Sequence, residues 1–160
     1  LARPPRVEPR PGDLAAQVRE AAALVAGSLP AGIRLRVDAD GEVPSIFDPE
    51  AVRQVLLNLA RNAVEALGES GTVSLACRAE GGQARIEVAD DGPGIPEADL
   101  DNVFEFGFST KPAGNGLGLP IVHRLIAEMG GTVTIRTAPG EGTTLIVTLP
   151  SAEGATARRA

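Results

Sequence analysis

The chain is poor in the residues that build most specialised surfaces. Its 160 residues include no Trp or Tyr, four Phe, and a single Cys, His and Met. Without aromatic platforms there is little on which to stack bases. A net charge of −6 also opposes the basic face that phosphate-backbone binding requires, so nucleic acid is not an expected partner. A lone cysteine makes no internal disulfide, and with a lone histidine it cannot complete a Cys/His zinc site. No apolar run approaches the roughly 18 residues of a membrane span and no signal peptide opens the chain, so the expected compartment is cytoplasmic. What remains is ordinary globular composition, 43% hydrophobic and 22% charged, with length enough for one domain and a real core.

Residues 1–12, with four Pro and three Arg and no apolar periodicity, read as a connector to something longer. Asp13 is a helix cap, with the apolar positions Leu14, Val18, Ala21, Ala22, Leu24 and Val25 carrying a helix to about Gly27. Ile33–Val37 alternates like a strand, and Val43–Phe47 suggests a short second one. Asp48-Pro49-Glu50 is a strong helix start. Val52, Val55, Leu56, Leu59, Ala63 and Val64 then recur at helical spacing, and Gly68 ends the run after Leu67. Strands are expected at Thr72–Ala79 and Ala84–Ala89. Cys77, in phase with Val73, Leu75 and Ala79, reads as core. A helix over Leu117–Met129 and a hairpin of Thr132–Thr137 with Thr143–Leu149 complete the pattern, before a polar tail, 151–160, expected to be disordered. Strands and helices mix without strict alternation, which suggests an α+β two-layer sandwich.

Two glycine clusters, Gly92-Pro93-Gly94 and Gly114-Asn115-Gly116-Leu117-Gly118, bracket about twenty residues with little regular pattern. Compact domains rarely keep such a loop unless it is a lid or a binding loop. The second cluster opens a helix, so its amides can meet an anion; the alternative is a plain glycine-rich turn. It is neither a Walker loop nor a dinucleotide fingerprint. Lys111 is a candidate phosphate partner or a surface lysine. Gln54, Asn58, Asn62 and Glu65 form a polar stripe at spacings of four, four and three. That stripe is either a solvated face or, through its Asn pair, a source of hard oxygen donors for Mg²⁺. Asp90 closes a strand and is either part of a tight acidic turn or an acceptor for an adenine amino group, which guanine does not offer. His123 falls beside Arg124, off the apolar face, and reads as a surface residue.

In this order and spacing the pieces resemble the catalytic ATP-binding domain of bacterial sensor histidine kinases, part of the group shared with gyrase, Hsp90 and MutL. QVLLNLARNAVEAL (54–67) resembles the N box, DDGPGIP (90–96) the first glycine box, FEFGFSTK (104–111) the F box and GNGLGLPIV (114–122) the second glycine box. The resemblance covers roughly residues 13–150, the expected catalytic domain. It implies the Bergerat ATP-binding fold, a mixed sheet of about five strands over three helices, with ATP and Mg²⁺ as cofactors. Asn58 and Asn62 become the candidate catalytic residues, with Asn62 the metal ligand. Asp90 becomes the adenine-binding residue, with Gly92, Gly94 and Ile95 in its pocket. Gly114, Gly116 and Gly118 lie on the phosphate side, where Leu117 and Leu119 pack the next helix. The chain departs from the pattern at Glu65, where many members carry Lys, so that Arg61 or Lys111 supplies the charge instead, and at Phe106-Gly107 in the F box. The implied activity is γ-phosphate transfer to a histidine on a separate dimerisation hairpin that this chain lacks. The implied partners are that hairpin and a response regulator. The fragment is then a monomer of a homodimeric kinase, and the full protein is either free in the cytoplasm or anchored in the inner membrane. The alternatives are an ATPase of the gyrase, Hsp90 or MutL type and an anti-sigma-like serine kinase. Asn58 stands where the former branch has a Glu that activates water, and an amide has no useful basicity.

Overall fold

Two aspartates start the first two helices. In the computed structural model, which describes residues 6–102 and 119–152, Asp13 caps α1 (Leu14–Ala26) by accepting the Ala15 N–H at 3.0 Å. Asp48 caps α2 (Pro49–Leu67), accepting from the Glu50 and Ala51 N–H groups at 3.0 and 3.3 Å. Pro49 in the first turn has no N–H to satisfy, and Glu50 complements the positive end of the helix dipole. On α2 the residues Val52, Val55, Leu56, Leu59 and Ala63 are buried, and each fully buried Val or Leu contributes about 1.5–3 kcal/mol. A third helix, α3 (Leu119–Glu128), buries Leu119, Val122, Leu125 and Ile126; His123 is on its exposed side.

The strands are β1 (Arg10–Asp13), β2 (Ile33–Asp38), β3 (Pro44–Phe47), β4 (Gly71–Glu80), β5 (Gln83–Asp90), β6 (Thr132–Thr137) and β7 (Thr143–Pro150). Five of them form one mixed sheet in the order β2-β4-β5-β7-β6, with β2 parallel to β4 and the other pairs antiparallel. Alternation sends Val73, Leu75 and Cys77, then Ala84, Ile86 and Val88, then Leu145, Val147 and Leu149 to one buried face. That face packs on the helices, α1 against β4, α2 against β4 and β5, and α3 against β6, with α2 in contact with both other helices. Five strands over three helices is the architecture the resemblance implies. The opposite face carries partly exposed ion pairs, such as Arg85 with Glu80 and Glu87 at 3.3 and 2.8 Å. Burial pushes the Cys77 thiol up to about 12, the nearby Asp13 charge adds to the rise and Arg19 opposes it, so Cys77 is an inert core residue. Among the described residues no helix is long and apolar enough to cross a membrane.

The structure corrects the sequence reading at both ends. Arg10–Gly12, read as connector, forms most of β1 and pairs antiparallel with β3, Gly12 opposite Ser45. Pro9 and Pro11 hide the strand signal, yet Pro is tolerated in an edge strand. Just before it, the Glu8 N–H donates to the second Asp48 carboxylate oxygen at 2.8 Å. At the other end Ser151, read as tail, is buried and bridges to Ser45; its Oγ donates to the Gly82 carbonyl at 2.7 Å. A 3₁₀ helix, Glu97–Asn102, also occupies part of the stretch read as lacking a regular pattern.

Candidate functional site

The inward face of β5 reads Ala84, Ile86, Val88 and then Asp90, so a carboxylate takes the last core-facing position of the strand. Its row crosses the sheet as Val73 on β4, Asp90 on β5, Thr143 on β7 and Thr137 on β6. Three polar residues therefore end an otherwise apolar floor. Burial raises the Asp90 carboxyl above its ordinary 3.8; the Gly92 N–H opposes the rise, the Asp91 charge adds to it, and the Thr143 N–H opposes it. The Gly92 N–H reaches Asp90 Oδ1 at 2.9 Å. Asp91 has a different task, accepting the Thr72 N–H at 2.8 Å and so fixing the start of β4.

The loop after Asp90 is tied to the β6–β7 hairpin. The Ile95 N–H donates to Thr137 Oγ1 at 2.9 Å, and the Gly140 N–H to the Pro93 carbonyl at 2.8 Å. Two glycines permit this approach. Gly94 has φ +80° and a Cβ there would strike the Ala138 carbonyl; Gly142 has φ +81° and a Cβ would strike the Asp90 carbonyl.

Between α2, β5, this loop and the start of α3 lies a cavity of about 420 Å³, within the size range of small-molecule sites, roughly 300–1,000 Å³. Its walls are mainly apolar, with Leu59 and Ala63 from α2, Val88 and Leu145 from the sheet, Leu119 from α3, and Pro93, Ile95 and Pro96 from the loop. Asn62 and Glu65 from α2, and Asp90 and Thr143 from the sheet, supply the polar lining. Of the residues singled out from the sequence, Asn62, Asp90, Gly94, Ile95 and Leu119 thus meet in one cavity, and Gly92 stands beside Asp90. Asn58 and Arg61 line a separate groove of about 230 Å³ on α2, with Glu50, Arg53 and Gln54. Lys111, Gly114, Gly116, Leu117 and Gly118 lie outside the described residues, as does Phe106-Gly107. Sequence reasoning missed Thr143 and Thr137, read only as hairpin residues. Their role depends on register across three strands, for which a local pattern holds no signal.

Asn62 brings a hard amide oxygen. Magnesium is held by a few protein oxygens plus substrate phosphates, so this donor fits a phosphate-bridged ion better than an all-protein cage. Among the described residues no group of His, Cys, Asp and Glu could hold a metal by itself.

Residues 47–153 match the family described as histidine kinase-, DNA gyrase B- and HSP90-like ATPases. The chain is 40% identical over 119 residues to the sensor histidine kinase ZraS of Escherichia coli K12, an overlap of 74% of this chain and 26% of ZraS. It therefore spans about a quarter of the length of that relative. It superposes on the catalytic domain of the histidine kinase ThkA with a TM-score of 0.77 at 29% identity, covering 90% of this chain and 96% of that one. Against full-length ShkA, whose structure is a complex with AMPPNP, the TM-score is 0.76 at 33% identity, with 95% and 33% covered.

Proposed function

Because this chain belongs to the family of histidine kinase-, DNA gyrase B- and HSP90-like ATPases, we propose that its cavity binds Mg·ATP and that the chain is the catalytic domain of a sensor histidine kinase. The observation that carries the site is a half-buried carboxylate, Asp90, lining a mainly apolar cavity that Asn62 also lines. An ionised carboxylate accepts from the adenine amino group and faces the carbonyl of guanine with no proton to offer. The apolar walls Val88, Ile95 and Leu119 suit a flat base. Asn62 would hold Mg²⁺, which when bound neutralises phosphate charge. Phosphoryl transfer asks for positioning and charge compensation more than covalent help from the protein, and among the described residues the lining holds no Cys, His, Lys or Ser. Asn58, on its neighbouring groove, has no basicity with which to activate water, which favours transfer over hydrolysis.

The acceptor is then a histidine on separate dimerisation helices, and a response regulator takes the phosphate onward. The AMPPNP held by ShkA supports the nucleotide class. Calorimetry with Mg·ATP and Mg·GTP tests the site. ATP is expected to bind and GTP to bind at least tenfold more weakly, and Asp90→Asn should lower ATP affinity by about tenfold, near 1.4 kcal/mol. Adding a helical hairpin that carries an acceptor histidine should then yield phosphohistidine on the hairpin alone. Tight GTP binding or indifference to Asp90→Asn sinks the adenine assignment; ³²P label on His123 of the isolated chain sinks the division of labour.

A further inference from the structure

A threonine hydroxyl has one proton and two lone pairs, and Thr137 uses all three. Its Oγ1 donates to the Gly142 carbonyl at 2.8 Å and accepts the Ile95 N–H at 2.9 Å. A carbonyl cannot donate, so the Thr137 proton is committed there. The 3.0 Å contact between Thr137 Oγ1 and Thr143 Oγ1 is left with one polarity, in which Thr143 donates and Thr137 accepts. The Thr143 proton is thereby turned toward Thr137, and its lone pairs remain for the cavity it lines. Ionised Asp90, next to Thr143 in the same row, also presents only acceptors. The Asp90–Thr143 side of the cavity is an acceptor-only wall.

We propose that Thr137 is a positioning residue that sets which purines the site admits: by fixing the direction of the Thr143 hydroxyl, it matches the wall to a 6-amino purine and against a 6-oxo purine. This rests on reading the cavity as a nucleoside triphosphate site. An amino group brings protons to lone pairs. An oxo oxygen brings lone pairs to lone pairs and is buried without a donor, the more costly mismatch. The same hydroxyl, through the Ile95 N–H, holds the loop that forms the opposite wall, so both sides of the base slot depend on one atom. Thr137 itself is not among the residues lining the cavity, so its effect on selectivity passes through Thr143 and Ile95.

Mg·ATP and Mg·ITP, which differ in a 6-amino against a 6-oxo group and in a bare N1 against an N1–H, separate the possibilities, with the wall set against the C6 substituent. Their affinities are measured for the wild type, Thr137→Val and Thr137→Ser. The wild type is expected to prefer ATP. Thr137→Val keeps the shape but removes the acceptor, so the Thr143 proton swings toward the cavity and the ATP-over-ITP ratio shrinks about tenfold, equivalent to about 1.4 kcal/mol. Thr137→Ser restores it. A general loosening of the fold weakens both nucleotides together and leaves the ratio alone; that result, or failure of Ser to rescue, overturns the proposal. A wild type that binds both alike removes the adenine reading and the proposal with it. A discriminating wild type beside an unchanged Val variant removes the proposal alone. If Thr137→Val does not fold, amide exchange in the native chain decides: slow exchange at Ile95 supports the tie, and exchange at the unprotected rate overturns it.

Discussion

At the scale of the residue, Asp90 puts a charge-bearing group where the strand's alternation calls for an apolar one. Its phase with Ala84, Ile86 and Val88 is legible in the sequence, and a carboxylate in a core phase is itself a sign of function. The cost of that placement has a measurable sign. Between the ordinary carboxylate value and the raised folded one, the folded chain keeps a proton that the unfolded chain has released. Stability therefore falls as pH rises through that window. Thermal midpoints of the nucleotide-free chain should show this decline, and Asp90→Asn should abolish it while leaving other pH effects in place. Saturating ATP should also remove it, because a ligand that prefers the ionised form draws the carboxyl pKa down. An unchanged slope in Asp90→Asn would assign the decline to another group. The neighbouring Asp91 shows the limit of local reading: two adjacent carboxylates look alike in DDG, and only the fold gives one to the cavity and the other to the Thr72 N–H.

At the scale of the element, α2 depends on Asp48 more than an ordinary helix depends on its cap. One carboxylate oxygen serves the first turn and the other takes the Glu8 N–H, so the same side chain starts the helix that carries Asn62 and holds the chain entering β1. Burial works against its charge, but the N–H groups of Glu8, Ala51 and Glu50 and the Arg10 charge outweigh it and hold the carboxyl below 3.8. Here the sign is opposite to that of Asp90: the contribution is complete above the ordinary value and is lost as pH falls through the folded one. Asp48→Ala should cost about 1–2 kcal/mol in urea unfolding and speed amide exchange at Glu8. Asp48→Asn, itself a good cap, should recover much of the stability. Faster exchange at Glu8 without loss of stability would separate the strap from the cap. The helix was legible end to end because its cap, proline, apolar period and terminal glycine all agree. β1 was not, since two prolines mask a strand whose existence depends on β3 for pairing. The 3₁₀ helix at Glu97–Asn102 was missed for want of apolar periodicity.

At the scale of the whole molecule, the fold class and the order of the main elements were readable, because each helix and strand carries its own period. The sheet order was not, since a parallel β2–β4 pair and a central β5 are decided by long-range register. The cavity was half readable. Asn62, Asp90, Gly94, Ile95 and Leu119 come from motifs, whereas Thr143 and Thr137 enter only through cross-strand pairing. One pairing joins the extremes of the folded unit. Ser45 lies between Gly12 on one edge and Ser151 on the other, so two strand spacings, roughly 10 Å, separate the first strand from the last. The covalent path between these ends is then arbitrary. A circular permutant joining Ala152 to Val7 through about eight residues, enough to span roughly 26 Å when extended, and opened between Gly81 and Gly82 should fold and bind Mg·ATP within a few-fold of the parent. A permutant that stays unfolded would mean that β4 and β5, whose connecting turn the opening cuts, must meet early as a hairpin, before the rest of the sheet forms. Success would mean that the order in which the chain is strung contributes little beyond the contacts it makes.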